Sequence, residues 1–254
     1  MGMIHFVNIK EKEFLSAKRL YKHMPLEYAL KTIKDRSIWF SDPREWPDPF
    51  ERRFLDAKYT KKGKEVNFLW RDKIYCTCLS MTASSEAFWK VYSPDQLCVE
   101  LRINRRMLLD ELSKLTDYTV YIGKAEYMKT EDIRLPLKNI PFDPPCLDEV
   151  NSSGFASRLF MLKRNAFKYE DEMRILLVSR TASNKTGVEI NYSCLPTDLI
   201  DQIVIDPRAG DQTALFLKNG LRDYYGFDKT DKGVSRVLKS QLFTKQRVAT
   251  IELD

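Results

Sequence analysis

Histidine is nearly missing from this chain: of 254 residues only His5 and His23 are imidazoles. That argues against a His-rich metal centre or a paired-histidine nuclease. No Gly-x-Ser-x-Gly elbow accompanies His23 to suggest a hydrolase triad. Glycine is scarce too, at nine residues, and neither the Walker phosphate loop nor the dinucleotide-binding glycine fingerprint occurs. A nucleotide bound here is held without those loops. The five cysteines, Cys76, Cys78, Cys98, Cys146 and Cys194, are odd in number and lack framework spacing, and no second Cys or His pair completes a zinc site. Cys76 and Cys78 share one side of an apolar strand and read as small buried groups. No metal is expected. No run approaches the roughly 18 apolar residues of a membrane span. The opening Met1-Gly2-Met3-Ile4-His5-Phe6 lacks a basic stretch followed by an apolar one, so no secretory signal is visible and a cytoplasmic protein is expected.

What remains is a chain with 43% apolar residues, enough for a substantial core, and with few breakers. The net charge of +6 is mild but uneven. Residues 52–73 carry eight basic and three acidic side chains, and residues 218–247 carry the same numbers, so two windows of +5 leave the rest near −4. Such asymmetry is one form an electrostatic footprint for nucleic acid takes.

Apolar spacing predicts strands at Leu20–Met24, Ser37–Ser41, Ile74–Ser80, Gln96–Ile103, Tyr118–Met128, Glu172–Ser179, Val188–Tyr192, Asp201–Ile205 and Arg247–Leu253. Helices are predicted from Pro25, at its first position, to Lys34, and at Glu86–Tyr92, Arg105–Leu115 with Asn104 as cap, Gly154–Arg164 and Asp211–Tyr225. Asp42–Phe50, with three prolines, reads as a loop, residues 52–73 as a solvated helix or long loop, and 134–149 as an irregular Pro-rich connection. No steady βαβ rhythm appears. The expectation is one α+β domain with a mixed, largely antiparallel sheet and flanking helices.

Three places attract chemistry. His23 ends a strand beside a helix start, where amide groups favour anions such as phosphate. Trp46, Asp48, Phe50 and Glu51 lie in a Pro-stiffened loop suited to stacking on a flat ring and binding its polar edge. In Lys168-Tyr169-Glu170-Asp171-Glu172-Met173-Arg174, strand spacing puts Glu170, Glu172 and Arg174 on one face. Paired carboxylates repel and raise one pKa unless a cation compensates, and an acidic pair entering an apolar strand is costly to place for fold alone.

The order of these pieces resembles the bacterial family catalogued as domain of unknown function 2971. The resemblance rests on Leu20-Tyr21-Lys22-His23, Trp39-Phe40-Ser41-Asp42-Pro43, Pro47-Asp48-Pro49-Phe50-Glu51, Phe88-Trp89-Lys90-Val91-Tyr92, and Lys163 with Phe167-Lys168-Tyr169-Glu170-Asp171-Glu172-Met173-Arg174. It covers roughly residues 19–245. The chain departs from the family pattern at Pro47, where an Asn is usual, and at Pro94–Cys98, which replaces a His-x-Gly. The family name carries no activity. A His, a central Tyr and a late strand Glu also look like the His-Tyr-Glu arrangement of ADP-ribosyltransferases.

That likeness implies cleavage of the nicotinamide–ribose bond of NAD as co-substrate. Glu172 is then the catalytic carboxylate, Glu170 positions the acceptor and Tyr92 stacks on nicotinamide, with Ser80-Met81-Thr82 as an alternative polar element near Tyr92. His23 holds a ribose hydroxyl, Arg174 or Lys163 meets the pyrophosphate, and Tyr21, Ser41 and Trp89 border the nucleotide, with Asp48, Phe50 and Glu51 forming a substrate loop. A bacterial toxin or phage-defence effector modifying protein or nucleic acid is the implied setting. Two other readings stay open: a nucleic-acid-binding or nuclease-like protein using the basic windows, and a non-catalytic interaction module. No membrane partner is expected, and the oligomeric state is left open.

Overall fold

The computed structural model describes residues 2–61, 63–83, 85–132, 152–182, 185–230 and 232–243. The connection at 134–149, Cys146 and the expected strand Arg247–Leu253 lie outside them. The architecture is α+β, with a mixed, mostly antiparallel sheet and helices on its flanks. Its strands are β1 (Met3–Phe6), β2 (Arg19–Pro25), β3 (Ser37–Ser41), β6 (Ile74–Ser80), β7 (Cys98–Asn104), β8 (Tyr118–Lys124), β11 (Glu172–Ser179), β12 (Gly187–Asn191), β13 (Ile200–Ile205) and β14 (Val237–Lys239). Two small pairs stand apart, β4 (Tyr59–Lys61) with β5 (Lys64–Val66), and β9 (Glu126–Met128) with β10 (Leu162–Arg164).

Along the sheet the order is β1-β8-β11-β6-β2-β7-β13-β14, with β12 and β3 branching from β6. The β1–β8 and β13–β14 contacts are parallel; the other ladders of this sheet are antiparallel. β6 is where the sheet divides. It pairs with β11 over Ile74–Ser80, but meets β2 only at Tyr21–Ser80 and β3 only at Ser41–Cys76. Between those two points β2 and β3 splay away from β6 and leave a seam.

β11 shows why the sequence folds this way. Its run Glu-Met-Arg-Ile-Leu-Leu-Val is buried throughout, because the strand is covered on both faces. Ile175 and Leu177 join Leu20, Ile33, Phe40, Leu101 and Leu108 in one core, while Leu176 and Val178 join Trp46, Phe54, Trp70, Tyr121 and Phe160 in the other. The period-two alternation of side chains thus feeds two layers from one strand.

The helices are α1 (Glu11–Phe14), α2 (Leu26–Lys34), α3 (Pro49–Asp56), α4 (Glu86–Tyr92), α5 (Arg105–Leu112), α6 (Ser153–Leu159), α7 (Pro196–Leu199) and α8 (Asp211–Tyr225). Asn104 caps α5 as expected, its side chain accepting from the amides of Arg106 and Met107. Several boundaries differ from the sequence expectation. Pro25 is the N-cap of α2 and the last residue of β2 rather than the first helical residue. α5 stops at Leu112, before Leu115, and β7 starts at Cys98. Asp42–Phe50 holds a 3-10 turn at Pro43–Glu45 and the start of α3, and residues 52–73 hold the rest of α3 and the β4–β5 hairpin. The strand Tyr118–Met128 breaks at Ala125, whose amide is given to Glu172 O, and Gly154–Arg164 divides into α6 and β10. Among the described residues no helix is long and apolar enough to cross a membrane.

Candidate active site

At the end of the seam where Tyr21 meets Ser80, a hollow of about 110 Å³ opens, lined by Tyr21, Lys22, His23, Cys78, Ser80, Phe88, Tyr92, Glu170 and Glu172 among others. Five elements supply it: β2, β6, α4, the 3-10 turn Asn165–Glu170 and the start of β11. Residues separated by about 150 positions in the chain, His23 and Glu172, therefore border one space.

Glu170 and Glu172 reach this space by a kink rather than by strand alternation. Glu170 ends the 3-10 turn, and Asp171 adopts the left-handed conformation (φ 43°, ψ 59°) before β11 begins. The strained residue is held on both sides: its carbonyl accepts from Met81 N–H and its amide donates to Lys168 O. Both carboxylates then meet Lys163, which donates to Glu170 and, at 3.1 Å, to Glu172 Oε1. Arg174 Nε donates to the other oxygen of Glu172 at 2.9 Å, and its remaining nitrogens go to Phe160 O at 2.6 Å and to Glu51. Tyr127 Oη accepts the Glu172 amide at 2.9 Å. All five charged groups are buried: Glu51, Lys163, Glu170, Glu172 and Arg174 form a network of three carboxylates and two cations.

The network separates the two carboxylates chemically. Burial alone would raise Glu172, but Arg174 and Lys163 outweigh it and hold the group at about 2, a standing anion. Burial pushes Glu170 above the usual carboxylate range, aided by the negative charge of Glu172 and opposed by Lys163. Tyr92 donates to Glu170 Oε1 at 3.1 Å, and its phenol is pushed well up by burial and by the two carboxylates, so it stays protonated. One anion and one titratable carboxyl at neighbouring positions is the pattern that divides electrostatic and acid–base work in many enzymes.

His23 builds the opposite wall. Its imidazole lies 3% exposed, stacked on Phe88 at 4.4 Å between ring centroids, with Trp89 edge-on at 5.4 Å and Tyr92 beyond at 6.4 Å. Nε2 is 3.3 Å from Glu100 Oε2, and Glu100 is fixed from its other oxygen by Arg102 Nε at 2.7 Å. The surroundings of His23 are thus the Glu100 carboxylate and three rings rather than the amides that open α2, the first of which is given to Leu97 O. α4 is anchored at its far end by Arg208, which donates to Ser93 O at 2.7 Å and to Trp89 O while paired with Asp206.

The structure gathers Tyr21, His23, Tyr92, Glu170 and Glu172 from the sequence expectation around the hollow. Arg174 and Lys163 stand behind the carboxylates, their donors committed to Glu51, Glu170 and Glu172, and no longer suit a pyrophosphate. Trp89 is fully buried and packs against His23 from outside the lining. Ser41 sits at the other end of β6, donating to Cys76 O at 3.3 Å and accepting from Trp46 Nε1 at 3.2 Å. The expected substrate loop is spoken for as well. Asp48 caps α3 and is gripped by Arg164 through both oxygens, Phe50 lies under that guanidinium, and Glu51 belongs to the charged network. The sequence reading missed Lys22 and Glu100. For Glu100 the signal was available, a carboxylate in the apolar run Cys98–Ile103 and opposite His23 in the β2–β7 ladder.

Cys76 and Cys78 lie on one side of β6, their sulfurs 3.9 Å apart and unbridged. Among the described residues no group of three or more His, Cys, Asp or Glu is arranged to hold a metal ion. The second basic window is partly neutralised where it is described, Arg222 by Asp223 and Lys239 by Asp211. No family model, curated protein or solved structure matches this chain.

Proposed function

We propose that the chain is an ADP-ribosyl-transferring or NAD-hydrolysing enzyme, with its reaction centre at the hollow beside Glu172. The observation that carries the reading is the convergence of a standing anion, a titratable carboxyl, a protonated phenol and a ring stack on one space from four separate elements. In this reaction the C1′–nitrogen bond breaks, the electron pair leaves with nicotinamide, and positive charge develops on the ribose. Glu172, fixed by Arg174 and Lys163, is a preformed counter-charge for that cation and needs no reorganisation to act. Glu170, whose pKa burial raises, accepts the proton of the attacking water or acceptor hydroxyl. Tyr92 keeps Glu170 oriented, and the Phe88–His23–Tyr92 stack offers an aromatic wall for the departing ring. The reading places the protein in the cytoplasm, where unbridged Cys76 and Cys78 remain thiols.

The test is release of nicotinamide from labelled NAD by the purified chain, with and without cell extract. Turnover by the wild type and a loss of at least about 100-fold in Glu172→Gln, with a melting temperature within a few degrees, are expected. Free nicotinamide without a labelled product identifies hydrolysis; a labelled macromolecule identifies transfer and its acceptor. Intact NAD under both conditions, or full turnover in a folded Glu172→Gln protein, overturns the reading.

A further inference from the structure

The same seam opens on the other face of the sheet, beneath α2, into a larger cavity of about 490 Å³. That volume lies within the ~300–1,000 Å³ of small-molecule sites. Its walls are apolar, formed by Met24, Ile38, Leu79, Leu101, Ile103 and Ile175, and its rim carries the exposed rings of Tyr28 and Trp39. Three charged groups border it. Lys31 and Glu189 are paired with each other across the rim, from α2 to β12, and cancel.

Lys22 is left. Its Nζ donates to Thr77 Oγ1 at 3.0 Å and to Cys78 O at 2.8 Å, so the ammonium bridges the seam, but both partners are neutral. Among the described residues no carboxylate forms an ion pair with it. An ammonium carries three donors and a full charge, and two neutral acceptors leave one donor free and the charge without an ion pair, since Glu170 and Glu172, which border the hollow on the other face, are paired with Lys163 and Arg174. Partial removal from water makes that an unfavourable state for the empty protein and a favourable one for an incoming anion.

We propose that this cavity binds an amphipathic organic acid, with an aliphatic or aromatic body among the apolar walls and its carboxylate on Lys22. The site shares Lys22 and Leu79 with the carboxylate hollow but opens on the other face of the sheet, and it does not depend on the NAD reading. An apolar occupant alone would gain only burial; the acid also neutralises Lys22, so acid and alcohol of equal length are discriminated by charge.

Displacement of the fluorescent anion 8-anilinonaphthalene-1-sulfonate from the full chain, by decanoate and by decanol, tests this. Decanoate is expected to compete at a concentration at least tenfold lower than decanol. Lys22→Gln should erase that preference while leaving decanol unchanged, and Thr32→Trp, which projects a large ring from α2 into the cavity, should weaken both at least tenfold. Equal competition by acid and alcohol in the wild type, or no competition by either, overturns the proposal, as does an unchanged preference in a folded Lys22→Gln protein. Should Lys22→Gln fail to fold, the wild-type pair and Thr32→Trp decide the matter.

Discussion

The two hollows that meet at Lys22 and Leu79 are held open by different forces. On the carboxylate side one wall is formed by Glu170 and Glu172, buried charges that Lys163 and Arg174, together with Glu51, hold in a fixed network. On the α2 side the walls are mainly aliphatic, with the rings of Tyr28 and Trp39 at the rim. A charged framework fixes atoms to within a hydrogen bond's tolerance and suits chemistry; an apolar one fixes volume and suits recognition of shape.

The largest expected effect breaks the first of these frameworks. Arg174→Met leaves Lys163 as the one cation of the network against the buried carboxylates of Glu51, Glu170 and Glu172, and breaking a buried ion pair by removing one partner typically costs about 3–5 kcal/mol. Denaturant unfolding measures it. The loss carries a pH signature. Glu172 is held at about 2 in the folded chain against an ordinary 4.5, so its contribution is present above about 4.5 and drains away as pH falls toward about 2. The wild type should lose stability over that window, and the variant should lose less. An Arg174→Met protein as stable as the wild type at pH 7 would show that the network is not what holds this side.

Gly187→Ala probes the other framework with a smaller effect. A Cβ there would sit 2.2 Å from Trp39 Cζ2 and 2.6 Å from Phe40 O, so the indole at the cavity rim lies where only a glycine permits. Overpacking of this kind costs about 1–3 kcal/mol. Since no titrating group is touched, the loss should be the same at pH 3 and pH 7, and a clear pH dependence would merge the two sides the comparison separates. Smallest of the three is Asp171→Ala, expected to cost about 1 kcal/mol at the left-handed turn, with Asp171→Gly costing none of it. Equal stability of the two variants would mean that the turn before β11 is unstrained.

How far the sequence foretold these features follows from local pattern. Ser37–Ser41, Ile74–Ser80, Glu86–Tyr92, Glu172–Ser179 and Asp211–Tyr225 begin and end as their apolar spacing predicts, since each has a regular period or a clean polar boundary. β1 escaped notice because Met3–Phe6 is short and only half covered, and its partner β8 is more than a hundred residues away. β10 was read as helix because Leu162-Lys163-Arg164 continues the pattern of α6, and its strand pairing with β9 is invisible locally. Within the site, the pairing of Glu172 and Arg174 on one face was legible from spacing, whereas Glu170 joins them through the turn at Asp171, which was not. The burial of Lys163 and Glu51 was illegible for a simple reason: a charged side chain in a polar context reads as solvated until its partners, here from α3, β10 and β11, are brought to it by the fold.

The seam has one more consequence. A ladder resists bending across its strands through many hydrogen bonds, but here two halves of a sheet are stitched along a line by the Tyr21–Ser80 contact, the Ser41–Cys76 contact and one lysine. With so few backbone bonds across it, that line leaves side-chain space on both faces, and a hollow borders Lys22 and Leu79 on each.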